Sequence, residues 1–316
     1  MLSTVKLGSG DFTYQVDLNW ETLPAGYAWR EVASVATDDN DNVYVFNRGD
    51  HPVIVFDSDG NFIKSWGEGV FVRAHGISHG PDNTLYCTDD GDHTVRQCTL
   101  DGEILMTIGV PGKAAEMFSG EPFNRCTHTA VDPNTGDIYV SDGYGNSRVH
   151  KYTPDGKLLF SWGAPGTGEG EFNIAHNIAT DSRGYVYVAD RENHRIQIFD
   201  SKGKYETMWA TLHRPCGLYI SEDDLIYVGE LGWGPAVEKN VPNIGPRVSI
   251  MNTKGEILAQ MGEGYGLGEG QFIAPHGICL DSKGSIYVGE VAHTNSRNAG
   301  EDPPDDIRSF QKLVRA

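Results

Sequence analysis

The sequence predicts an all-β protein, a six-bladed β-propeller whose 316 residues form one domain. Three observations predict it. One pattern recurs six times: a short alternating apolar stretch, a Gly/Asp/Asn turn, a core built on an apolar residue and a tyrosine, a polar loop, and a second strand. The 39 glycines are about 12% of the chain, well above the ~7% that is usual, so the backbone must turn tightly and often. A further stretch with strand alternation, DFTYQVDLNW (11–20), precedes the first copy of the pattern.

Each copy is centred on a tyrosine: Tyr44, Tyr86, Tyr139, Tyr187, Tyr227 and Tyr287, at intervals of 40 to 60 residues. Strands of about five residues with two-residue alternation, separated by D-G and N-G turns, give three to four strands per copy. A repeat of ~40–45 residues with four strands is the unit of a propeller blade. Blade one (31–68) carries DNVYVFNRGDHPVIVFDSDG, and blade two (72–110) carries NTLYCTDDGDHTVRQCTLDG. Blade three (124–164) has GDIYVSDGYGNSRVHKYTPDG, and blade four (174–211) has GYVYVADRENHRIQIFDSKG. In blade five (213–262), DLIYVGELGWG is separated from RVSIMNTKG by an insertion; in blade six (274–316), GSIYVGEVAHT is likewise separated from IRSFQKL. A propeller must close, and the strand in 11–20 is expected to complete the last blade.

Composition narrows the function. At 39% hydrophobic and 10% aromatic residues the chain buries a sizeable core, which excludes general disorder. Its 25 Lys+Arg against 44 Asp+Glu give a net charge of −19. That charge argues against a nucleic-acid partner, which requires a basic face, and against anionic membrane surfaces. No apolar run reaches the ~18 residues of a membrane span, and MLSTVKLGSGDFTYQV has no apolar signal core. Cys87, Cys98, Cys126, Cys216 and Cys279 are odd in number and form no CxxC pair, so the expectation is a cytoplasmic protein with reduced thiols. The glycine-rich segments SWGAPGTGEGEFNIAH and QMGEGYGLGEGQFIAPH feed strands, whereas a dinucleotide loop must open a helix. They read as connecting turns, and together with the blades they resemble NHL repeats.

Equivalent blades put equivalent registers in equivalent places. Eleven residues before the tyrosines stand Ala33, His75, His128, His176, Cys216 and His276. Four histidines and a cysteine at six such positions exceed chance for a chain with 11 histidines. The first strand of a blade lines the channel, so this register predicts a ring of side chains near one mouth. Neutral imidazoles from separate strands suit zinc, and three ligands with an open fourth position is the catalytic arrangement. Alternate blades two, four and six supply His75, His176 and His276. His128 and Cys216 fall between them, as substrate-binding or supporting groups, with His128 also a competing ligand. Iron or manganese would accept the same three histidines, since affinity and availability decide the metal.

The loops after the tyrosine strands return to the same mouth. They carry Arg48 in blade one, Arg191 in blade four and Tyr144 in blade three. The insertions of blade five (231–247) and blade six (293–306) fall in the same loop class and would lid the pocket. Pairing of the arginines with Asp50 and Glu192 is the plain structural alternative. Two arginines beside a metal invite an anionic small molecule such as a carboxylate.

FNRGDHP, YVSDGYGNSRV, VADRENHRIQIF and APHGI followed by IYVGEVAHT closely resemble the peptidyl-α-hydroxyglycine α-amidating lyases, from about Glu31 to Thr294. The resemblance implies zinc on His75, His176 and His276, a catalytic tyrosine at Tyr144 and substrate-site arginines at Arg48 and Arg191. It implies cleavage of an α-hydroxyglycine amide to a primary amide and glyoxylate. The chain departs from the family pattern in four ways. Gly145 replaces a disulfide cysteine, and Gly277 replaces an acidic residue linked to a structural calcium, which argues against calcium here. His128 has no histidine counterpart, and no monooxygenase half is present. The expected function is therefore a zinc-dependent lyase acting on an α-hydroxy amide or related carbinolamide. Arg48 and Arg191 would clamp a carboxylate or the leaving group, and Tyr144 would act as general base. Phenols ordinarily ionise near ~10, so that role demands cations beside the ring. A zinc hydrolase or hydratase at the same site and a non-catalytic interaction platform are the alternatives.

Overall fold

A computed structural model describes all of residues 1–316, and it has the six-bladed β-propeller arrangement that the repeats predict. The chain forms two compact units, Met1–Glu68 together with Leu225–Ala316, and Gly69–Asp224. Within the second unit, the sheet of blade two runs through Ala74–Gly80, Thr84–Asp89, Thr94–Thr99 and Ile104–Ile108. Blade three follows with His128–Val131, Ile138–Asp142, Arg148–Tyr152 and Leu158–Trp162, and blade four with Ala175–Thr180, Val186–Asp190, Arg195–Phe199 and Tyr205–Trp209. In the first unit, blade one is Val32–Thr37, Val43–Asn47, Val53–Phe56 and Phe62–Trp66. The last blade, beginning with Pro275–Leu280 and Ile286–Glu290, is completed by the start of the chain. Phe12–Asp17 pairs with Phe310–Arg315, Val16 opposite Leu313, and Leu7–Ser9 adds a fifth strand outside it.

The repeated tyrosine has a structural task. In four blades its hydroxyl donates to the aspartate that opens the preceding hairpin turn: Tyr44 to Asp38 at 3.0 Å, Tyr187 to Asp181 at 3.1 Å, Tyr287 to Asp281 at 3.1 Å and Tyr139 to Asp132 at 3.5 Å. These aspartates also accept backbone N–H groups of their own turns, such as Asn40 and Asn42 on Asp38 and Arg183 and Tyr185 on Asp181. One phenol thus ties a buried strand to the turn that precedes it.

Successive sheets of the second unit bury apolar layers against each other. Between blades three and four lie Tyr139, Val149, Phe172, Ile178, Val188 and Phe199. Phe172 comes from the glycine-rich connection, which explains why a turn-forming segment ends in an aromatic residue. It is wholly buried. Phe172→Ala is expected to cost about 3–5 kcal/mol through the lost side chain and the cavity it leaves. Denaturant unfolding of the two proteins side by side checks this.

No helix is long and apolar enough to cross a membrane, and all five cysteines are free and buried.

Candidate metal centre

The residue that enters each inner strand is set by a carboxylate or amide three residues after the repeated tyrosine. Asp89 accepts the backbone N–H groups of Val72 (2.6 Å) and Arg73 (3.0 Å), and Asp190 accepts that of Asn173 (2.8 Å). Glu290 takes those of Ile273 and Ala274, and Asn47 those of Arg30 and Glu31. The chain then enters the strand through a β-bulge. The register skips between Ala74 and Gly76, Ala175 and Asn177, Pro275 and Gly277, and Val32 and Ser34. The skipped residues are His75, His176, His276 and Ala33. A bulged residue is released from the alternation of the strand and its side chain is re-aimed.

Each of the three histidines is then oriented by the next blade. His75 Nδ1 donates to the carbonyl of Thr127 at 2.7 Å, His176 Nδ1 to that of Cys216 at 3.0 Å, and His276 Nδ1 to that of Ala33 at 2.6 Å. A carbonyl only accepts, so each imidazole carries its hydrogen on Nδ1 and presents the Nε2 lone pair. All three are buried.

The same contacts correct the register of blade three. The carbonyl receiving His75 belongs to Thr127, not His128. Tyr139 pairs with Ala130, nine residues earlier, whereas Tyr187 pairs with Ala179, eight residues earlier. The hairpin between the first two strands of blade three is one residue longer, so counting eleven back from the tyrosine stops one residue short of the ring. Thr127 occupies the ring position, its hydroxyl bonded to Ser141 and to the Ala175 carbonyl. His128 lies in the ladder opposite Ser141. Burial pushes its pKa down to about 4, so it is neutral at physiological pH.

Tyr144 meets two of the histidines in the second unit. Its hydroxyl is 3.0 Å from His75 Nε2 and 3.2 Å from His176 Nε2, and its ring stands edge-on to both. The two imidazole centroids are 4.9 Å apart. The loop that carries Tyr144 needs its flanking glycines. A Cβ on Gly143 would lie 2.1 Å from the Ala175 carbonyl oxygen, and one on Gly145 2.2 Å from Asn124 Oδ1. Asn124 therefore fills the space that a cysteine at 145 would need. Gly277 is constrained in the same way, since a Cβ there would lie 2.4 Å from Ser34 Cα.

Cys216 Sγ lies 3.4 Å from His176 Nδ1. Burial raises its thiol to about 11, against the opposing pull of Arg191 and Arg214, so the sulfur stays protonated. Arg191 approaches the face of Tyr144, 5.6 Å from its centroid, and its Nε donates to Glu192 at 2.7 Å. Arg214 grips the same carboxylate at 2.8 and 3.0 Å. Burial works to raise Glu192, yet the two arginines hold it down at about 2. In the first unit, Arg48 pairs with Glu31 at 3.0 Å rather than with Asp50. Glu31 also accepts the backbone N–H and, at 3.0 Å, the hydroxyl of Thr294. The blade-six insertion thereby touches the Arg48 pair. It also meets the blade-five insertion through Lys239 and Glu301.

Sequence reasoning missed Arg125, whose guanidinium lies 4.6 Å from the centroid of Tyr144, and it missed Thr127. A signal for Thr127 was present. Four residues before the ring positions stand Trp29, Phe71, Phe123, Phe172, Leu212 and Phe272. Counting from these apolar anchors selects Thr127 directly.

The chemistry of this donor set fits a divalent cation. Fixed tautomers offer Nε2 lone pairs, and the phenol brings one hydrogen to two acceptor nitrogens. Three imidazoles suit zinc and its neighbours, and each has its second nitrogen oriented by a carbonyl, as metal-binding histidines usually do.

Comparison with known proteins agrees with the repeats. The NHL repeat family model matches residues 123–152 and 172–199. NHL repeat-containing protein 3 of Mus musculus is 35% identical over 299 residues, covering 89% of this chain and 82% of that protein. Peptidyl-alpha-hydroxyglycine alpha-amidating lyase 1 of Drosophila melanogaster is 29% identical over 253 residues, covering 72% of this chain and 44% of that protein. A solved streptogramin B lyase superposes with a TM-score of 0.63 over 98% of each chain at 13% identity, a likeness of fold alone.

Proposed function

This chain belongs to the NHL repeat-containing protein family, and from that premise and the chemistry around Tyr144 we propose that it is a metal-dependent lyase. Its substrate is a small α-hydroxy amide bearing an acid group, split into a carbonyl compound and the released amide. The observation that carries the reading is the phenol of Tyr144 held within hydrogen-bond reach of two Nε2 atoms, 3.0 and 3.2 Å away. The relative named as an amidating lyase supports the same reaction class.

His75, His176 and His276 form the candidate ligand set. Zinc bound there supplies Lewis acidity toward the substrate hydroxyl. Tyr144 would act as the phenolate, its own proton released to solvent before the substrate reacts; it takes the hydroxyl proton as the carbonyl forms and the C–N bond breaks. The same proton then goes to the departing amide nitrogen, so the two products contain every atom of the substrate and no water is consumed. Arg191 beside Tyr144 holds the acid group by charge-assisted hydrogen bonds, and Arg48 serves as a second anchor. The pairing of each arginine with one buried or half-buried glutamate keeps the guanidinium oriented. Cys216 is a neutral neighbour of His176 that shapes the site.

Zinc-loaded protein incubated with an N-acyl-α-hydroxyglycine should release glyoxylate and amide in equal amounts. In the same assay Arg191→Gln should raise KM roughly 10- to 100-fold, the worth of a charged hydrogen bond of about 1.5–3 kcal/mol. No glyoxylate from zinc-loaded protein would sink the lyase assignment.

A further inference from the structure

Two residues before the ring positions of blades two, three and five stand Arg73, Arg125 and Arg214. Arg125 and Arg214 share the left-handed backbone of Ile174, with φ of 62°, 51° and 67°. In blades three, four and five the place is thus equivalent and only the side chain differs, whereas Arg73 of blade two reaches it from a backbone that is not left-handed. Blade four, with its isoleucine, contributes Arg191 from another loop instead. The four arginines form two pairs, each gathered on one carboxylate. Arg191 and Arg214 share Glu192. Arg73 Nη1 (2.6 Å) and Arg125 Nη2 (2.6 Å) and Nε (3.1 Å) all converge on the buried Asp90, through the same Oδ2 atom.

Two guanidiniums on one carboxylate leave each pair with an excess of positive charge. This occurs in a protein whose net charge is −19. One member of each pair lies against the Tyr144 ring, Arg125 at 4.6 Å and Arg191 at 5.6 Å from its centroid. Arg125 Nη1, and Nε and Nη2 of Arg73, make no hydrogen bond within the protein, and the two side chains are 44% and 34% exposed. Partly exposed donors on a fixed base are how a protein presents an anion site rather than a closed structural ion pair.

We propose that the Arg73–Arg125 pair is a second anion site beside Tyr144, so that the substrate carries two acid groups. One is the carboxylate next to the hydroxyl-bearing carbon, held by Arg191; the other lies on the leaving side and is held by Arg125 and Arg73. The inference rests on the lyase reading for the identity of the first group and names the substrate class as a dianionic α-hydroxy compound.

Calorimetric titration with malate, a dianionic α-hydroxy acid, against lactate, its monoanionic counterpart, tests this without turnover. Malate should bind at least about tenfold tighter than lactate, and the advantage should fall as salt is raised. Arg125→Gln should bring the ratio close to one. Arg73→Gln, at a more peripheral guanidinium, should reduce it as well, and provides the test if the first variant folds poorly. Equal affinities in the unaltered protein, absence of malate binding, or a ratio that survives both substitutions would overturn the second anion site. A malate preference that is lost in Arg125→Gln, found together with failure to release glyoxylate, would sustain the anion site while removing the lyase reading alone.

Discussion

His176→Ala is expected to strip the protein of its metal, taking it from about one zinc per chain to none detectable by elemental analysis. Three imidazoles with fixed tautomers give a cation three nitrogen donors. Losing a neighbour that merely orients a ligand typically costs 10- to 100-fold in affinity. Losing a ligand itself should cost more than that. His176 also touches several other groups of the site: Tyr144 at 3.2 Å, Cys216 at 3.4 Å and the His75 ring at 4.9 Å between centroids. Its removal leaves the buried Cys216 carbonyl without that donor, a local cost of about 1–3 kcal/mol, so unfolding should be measured alongside metal content. Zinc should restore activity to chelator-treated wild type and should fail to restore it to the variant. Full zinc occupancy in a folded His176→Ala protein would remove the histidine set from the metal site.

Tyr144→Phe should do the reverse, keeping the metal while losing turnover. The phenylalanine ring retains the face against which Arg125 and Arg191 lie, at 4.6 and 5.6 Å, and the glycines on either side hold the loop as before. Substrate binding should therefore change little. What disappears is the oxygen that takes and returns the proton, and a positioned acid–base group is worth roughly 10²- to 10⁴-fold. The expected signature is a drop in kcat of that size with KM and zinc content nearly unchanged. An unchanged kcat would mean that proton transfer runs through another group, and the mechanism would fall.

Much of this protein was legible in the sequence because a repeat states the same local rule six times. The tyrosine recurs in all six blades, its aspartate partner in four, and a carboxylate or amide stands three positions later, because these hydrogen bonds hold the turn and aim the chain that enters the inner strand. The N-terminal strand was legible by alternation, and the pairing of Val16 with Leu313 follows from the last blade lacking an outer strand of its own. His75, His176 and His276 stood out because their register from the tyrosine is constant where the hairpin length is constant.

Blade three shows where such counting fails. Its hairpin is one residue longer, and a one-residue change in a strand turns the next side chain to the other face. The count therefore selected His128 in place of Thr127, whereas the apolar residue four positions ahead, Phe123, keeps the true register because it packs on the sheet rather than across the hairpin. Arg125 escaped notice for a related reason. Its meaning comes from the ring of Tyr144 and from Asp90, 19 and 35 residues away in the chain, and no local pattern links the three. Sequence alone determined the blades, the histidines and the tyrosine, because these follow from periodicity and hydrogen-bonding chemistry within a repeat. The tertiary structure decided which atoms face each other: the bulges that re-aim the imidazoles, the carbonyls that fix their tautomers, the pairing of Arg48 with Glu31 and the sharing of Glu192 by Arg191 and Arg214. Those depend on how neighbouring backbones approach, and only packing sets that distance.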